Sequence, residues 1–73
     1  MPKLVPVSGE KLIRYFRRKG LKVSHQKGDH VSMTGRDMKR PVVIQKSKSI
    51  PVWIIKKNLN TAGISREEFL REF

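Results

Sequence analysis

Between residues 21 and 34 two short alternating stretches flank the tetrapeptide Lys27-Gly28-Asp29-His30. A glycine turn between two alternating runs reads as a β-hairpin. This hairpin organises the chain. The residues before it supply a helix and one strand, and those after it complete a sheet and add a second helix. Leu21, Val23 and His25 fall on one side of the first run, with Lys22, Ser24 and Gln26 on the other. In the second run Val31 and Met33 oppose His30, Ser32 and Thr34.

Apolar pattern sets the expected register. A two-residue loop at Gly28-Asp29 pairs Val31 with Gln26 and Met33 with Ser24, which mixes apolar and polar on each face. A three-residue loop, Lys27-Gly28-Asp29, pairs His30 with Gln26, Val31 with His25 and Met33 with Val23. Slipping a strand by one residue inverts its faces, so the register that gathers Leu21, Val23, Val31 and Met33 on one buried side is expected. It places His30 on the exposed face beside Gln26, Ser24 and Ser32. His25 then lies at the edge of the buried face, in a structural role.

The flanking elements are set by caps and periodicity. Residues 1–7 read as extended, since Pro2 and Pro6 disfavour helix at the residue before each. Ser8 is an N-cap with Glu10 in the first turn, and Val7 and Leu12 are placed as a hydrophobic staple. Leu12, Ile13 and Phe16 form an apolar stripe, and Gly20 ends the helix with Leu21 folded back on it. Gly35 to Arg40 is a polar turn, and Pro41 opens a β-branched third strand, Val42-Val43-Ile44. After the loop Lys46-Ser47-Lys48-Ser49, Pro51 suits the first turn of a second helix. Val52, Ile55, Leu59 and Ala62 form its buried stripe, Trp53 and Ile54 widen it, and Lys56, Lys57, Asn58 and Asn60 face out. Gly63 caps its end, with Ile64 folding back on the helix. Ser65 and Glu68 form a capping box, Ile64 and Phe69 a staple, and a short third helix carries Phe69, Leu70 and Phe73. The whole of 1–73 reads as a single α+β domain. It is a two-layer sandwich with one sheet face open, the layout of the double-stranded-RNA-binding fold.

Charge narrows the function. Seventeen Lys and Arg against six acidic residues give +11, above the magnitude of about 2–8 usual for a small domain. A polyanion is the expected partner, nucleic acid before an acidic protein or a membrane. There is no cysteine and there are two histidines, so neither a disulfide nor a structural metal site is expected. No apolar run approaches the roughly 18 residues that span a bilayer, and the N-terminus has no secretion-signal pattern. A cytoplasmic protein without membrane contact is expected.

In order and spacing these residues resemble a known family. The helix ending in Lys19-Gly20, the stretch Lys27-Gly28-Asp29-His30 with its alternating strand, and Val42-Val43-Ile44 carry the first half of the likeness. Ile50-Pro51, the helix ending at Ala62-Gly63 and the tail Ile64-Ser65-Arg66-Glu67-Glu68-Phe69 carry the second. Together they are similar to the HicA (YcfA-like) toxins of HicA–HicB toxin–antitoxin systems. The resemblance implies an RNA-binding-like fold, ribosome-independent cleavage of mRNA, and inhibition by a HicB-type antitoxin. It also implies a protein that is monomeric when free and hetero-oligomeric with the antitoxin. The family's active histidine maps onto His30. Many relatives carry a second histidine after the third strand, where this chain has Gln45-Lys46. Many also have Gly-Thr-Leu after the second helix's proline, where it has Val52-Trp53-Ile54.

These residues define the expected site. A neutral imidazole can take the proton of a ribose 2′-hydroxyl as it attacks the adjacent phosphorus, and an imidazolium can return one to the leaving oxygen. His30 is the candidate catalytic residue. Lys27, Lys46 and Lys48 are candidates to stabilise charge on the phosphate, and Gly28, Gln26, Ser32, Lys56 and Lys57 to contact RNA. No carboxylate cluster suggests Mg²⁺, so a metal-independent reaction without a cofactor is expected. The alternative is a non-catalytic RNA-binding module of the same fold.

Overall fold

Ser8 starts the first helix as expected: its hydroxyl accepts the backbone N–H of Lys11 at 3.2 Å. In the computed structural model, which describes residues 3–73, this helix is α1, Gly9–Arg18. It ends at Gly20, whose φ of 96° needs no Cβ. The N–H of Leu21 then turns back to the Phe16 carbonyl at 3.0 Å. Three strands come next, β1 at Lys22–Lys27, β2 at His30–Thr34 and β3 at Val42–Gln45. They form one antiparallel sheet in the order β1-β2-β3. Helix α2 spans Val52–Ala62 and α3 spans Arg66–Glu72. In the lead-in, Val7 bridges Ile50, whose N–H donates to the Val7 carbonyl at 2.6 Å. Met1 and Pro2, the start of the expected extended segment, lie outside the described residues. This is the expected α+β sandwich of double-stranded-RNA-binding type, with the short helix added at its end.

The helices cover one face of the sheet. Val31 and Met33 of β2 and Val42 and Ile44 of β3 are buried against Leu12, Phe16, Ile55 and Leu59. The alternate residues of both strands are more exposed, Val43 at 48%. β1 is an edge strand and overhangs the helical layer, so every one of its residues is exposed. Val23, expected in the core, is therefore 38% exposed.

Several placements differ from the sequence expectation. In α2 the buried residues are Ile55, Asn58 and Leu59. Helical spacing puts position 58 on the same stripe as Ile55 and Leu59, so Asn58 faces in rather than out. It is 6% exposed, and its Nδ2 has no hydrogen-bond partner among the described residues. Trp53 stands two residues before Ile55, on roughly the opposite side of the helix, and is 68% exposed instead of buried. Pro51 is the N-cap of α2, one position before the first turn, with extended ψ.

Helix α3 docks on the C-terminal half of α1. Ser65 caps it by accepting the Glu68 N–H at 3.0 Å. The Glu68 carboxylate pairs with Lys19, so the expected capping box is completed on one side. Tyr15, outside the apolar stripe read from sequence, is buried in this contact, edge-on to Phe69 with ring centroids 4.9 Å apart. Its hydroxyl donates to Glu72 Oε1 at 3.0 Å, and Lys19 Nζ approaches the same oxygen at 2.9 Å. Burial first, and then the Glu72 hydrogen bond, pushes the Tyr15 phenol up to about 12. Hydrogen bonds to Glu68 and Glu72 raise the Lys19 ammonium above its ordinary range. The Lys19 and Tyr15 hydrogen bonds hold Glu72 below the ordinary carboxylate value.

Candidate functional site

The hairpin turn has two residues. Gly28 has φ +58°, and no non-glycine residue among those described has positive φ, the pattern of a type II′ turn with glycine first. Lys27 pairs with His30, Gln26 with Val31 and His25 with Ser32. The register then shifts between Val23 and His25, and Val23 pairs with Met33. Ser24 is the extra residue of a β-bulge, and its hydroxyl donates to the Ser32 carbonyl at 3.3 Å. The expected Val23–Met33 pair is therefore present, while the expected three-residue loop is not. Beyond the bulge every side chain of β1 changes face.

Residues paired across a sheet share a side. The first row of the open face is Lys27, His30 and Gln45. The second is His25, Ser32 and Val43, and Lys22 with Thr34 comes after it. His30 is exposed, as the sequence indicates. His25 is exposed too and lies on this face, not at the edge of the core. Gln26 moves the other way. It pairs with buried Val31 and, with Arg14, Arg17 and Lys46, lines a groove on the helical side.

The turn is fixed from behind. The Lys46 N–H donates to the Asp29 carbonyl at 2.7 Å, which ties the loop after β3 to the hairpin. The Gly9 N–H donates to the Ser47 carbonyl at 2.9 Å, which ties the start of α1 to the same loop. Gly9 is buried, and a Cβ at this position would overlap the Gln45 carbonyl oxygen. The helix start thus lies directly on the end of the strand that pairs with His30.

Of the residues expected at the site, His30, Lys27 and Ser32 share the open face, with Gly28 in the turn beside it. Lys46 and Lys48 stand in the adjoining loop, Lys46 exposed. Lys56 and Lys57 are exposed on α2, in the helical layer, and are not gathered with them. His25 and Gln45 are the open-face residues that the sequence expectation missed. For Gln45 the signal was present, since the alternation Val42, Val43, Ile44 puts it on the same side as Val43. The arrangement is an exposed imidazole between a lysine and an amide, on a face whose paired residues include no acid. It can receive a phosphodiester and exchange a proton with it.

A family description, HicA toxin of bacterial toxin–antitoxin, matches residues 9–64. The matched span runs from the start of α1 to the residue after Gly63, and so contains the whole sheet. No curated protein and no solved structure matches the chain.

Proposed function

Because the chain belongs to the HicA toxin family of bacterial toxin–antitoxin systems, we propose that it is a metal-independent endoribonuclease that cuts mRNA in the cytoplasm. His30 is its acid–base group. A HicB-type antitoxin covers the open face to silence it. The observation that carries this reading is the exposed His30, set between Lys27 and Gln45 at the end of a sheet face that no other described element covers.

The chemistry needs little machinery. The 2′-hydroxyl is already next to its phosphorus, so the protein has to remove one proton, supply another and steady the charge that builds on the phosphate oxygens. Proton transfer by a positioned imidazole is worth about 10²–10⁴ in rate. Lys27, and Lys48 from the loop pinned to Asp29, supply the cations. The toxin is monomeric when free and hetero-oligomeric with its antitoxin.

The test compares wild type with His30→Ala. As an exposed residue His30 carries little of the fold, so stability is expected to change by no more than about 0.5 kcal/mol. RNA affinity is expected to persist, while cleavage drops by about 10²–10⁴ and growth arrest on expression disappears. Wild-type cleavage is expected to survive EDTA. A folded, RNA-binding His30→Ala protein that cuts at the wild-type rate would remove His30 from the chemistry.

A further inference from the structure

Both histidines of the chain stand on the open face. His25 pairs with Ser32 and His30 with Lys27, so the two are diagonal neighbours across β1 and β2. Such neighbours are about 7–8 Å apart along the backbone, within reach of each other's longer side chains. Both imidazoles are exposed, and neither belongs to the core.

The bulge puts His25 there. Regular pairing continued from Val23–Met33 would set His25 against Val31 on the helix-covered side and Gln26 against His30. The extra residue, Ser24, exchanges them: Gln26 leaves the open face and a second imidazole enters it. Bulges are frequent beside active sites because they re-aim a side chain in this way. The Ser24 hydroxyl fastens this one to the Ser32 carbonyl.

We infer that His25 is the general acid of the RNA-cleaving site, the partner of His30. This rests on the ribonuclease reading given above. The phosphate lies across the end of β1 and β2, held at the turn by Lys27 and by Lys48 of the adjoining loop. His30, at that turn, takes the proton of the 2′-hydroxyl as its oxygen bonds to phosphorus. His25, one row further into the sheet, faces the 5′-oxygen of the next nucleotide. It enters as imidazolium and gives its proton to that oxygen as the P–O5′ bond breaks. One P–O bond forms and one breaks, one proton is taken and one given, and the products are a 2′,3′-cyclic phosphate and a free 5′-hydroxyl. The two oxygens lie on opposite sides of one phosphorus, and two rings set diagonally on one face can reach both sides.

The experiment uses an RNA whose cleavage site has been mapped with the wild type, and the same RNA with sulfur in place of the bridging 5′-oxygen at that site. A thiolate leaves without being protonated, so it bypasses a general acid but still needs a base. His25→Ala and His25→Gln are expected to keep the melting temperature and the affinity for a 2′-deoxy analogue. On the all-oxygen RNA they are expected to lose about 10²–10⁴ in rate, and on the thio substrate less than about tenfold. His30→Ala is expected to lose about 10²–10⁴ in rate on both. If the His25 variants cut the all-oxygen RNA at the wild-type rate while His30→Ala does not, His25 is a bystander and only the ribonuclease reading survives. Equal losses on the two substrates overturn the acid role. A wild type that cuts no RNA overturns both readings.

Discussion

Gly9 shows how a single hydrogen in place of a methyl group positions the site. In an ordinary helix a glycine is replaced by alanine with a gain of about 0.5–1 kcal/mol. Here a Cβ would overlap the Gln45 carbonyl, with the Gln45 and Lys46 backbone behind it. Gly9→Ala is therefore expected to destabilise the protein by about 1–3 kcal/mol, the usual cost of overpacking. At this chain length each kcal/mol lowers the melting temperature by about 4–8 °C. RNA cleavage is expected to fall with it, because Gln45 pairs with His30 and moves when the helix is pushed away. A raised melting temperature would show that the loop after β3 yields. As a letter in the sequence Gly9 is only a weak helix former. Its role depends on a strand end 36 residues later, which no local pattern reveals.

The docking of α3 on α1 carries its own pH dependence. Tyr15 and Lys19 have folded-state values above their ordinary ones. Their contribution is complete below the unfolded values, near about 10, and is lost as pH rises through the folded ones. Glu72 has a lowered value, so its contribution is present above the ordinary carboxylate range and is lost on acidification. Tyr15→Phe keeps the ring against Phe69 and removes the titrating hydroxyl. Melting temperatures measured from pH 9 to about 12 are expected to fall less steeply in this variant than in the wild type; identical slopes would mean that the phenol is not part of the clamp. The elements themselves were legible because their signals are local: Ser8 and Ser65 as caps, Gly20 and Gly63 as stops, and the β-branched run of β3. The hairpin was half legible. Apolar pattern correctly demanded Val23 opposite Met33, and turn chemistry favours glycine first in a two-residue loop. Both conditions hold at once because Ser24 takes up the odd residue between them. Pattern alone forced a choice between the two, and so misplaced His25 and Gln26 together. Asn58 and Trp53 depart from their polarity for another reason: each takes the side set by its angle around α2.

Across the whole molecule, charge outweighs any single contact. With +11 spread over 73 residues, RNA association is expected to be mainly electrostatic. Each single-strand phosphate contact contributes about −0.7 to the slope of log K against log salt. Replacing Lys27 or Lys46 with glutamine is expected to flatten that slope by about this amount and to weaken different sequences alike. A flat dependence in the wild type would point to recognition of bases instead. The hydrogen bond from Lys46 to Asp29 has a consequence for how such a chain can vary in length. It joins the hairpin tip to the loop after β3, and Gly9 joins the start of α1 to the same loop, so three separated segments meet at this end of the sheet. An inserted residue at Gly28-Asp29 would pull the Asp29 carbonyl off the Lys46 N–H and loosen the tip beside His30. At the opposite end, Gly35 to Arg40 is held by local bonds between Gly35 and Met38 and is otherwise largely exposed. Insertions and deletions are therefore expected to cost less stability at Gly35 to Arg40 than at the hairpin tip.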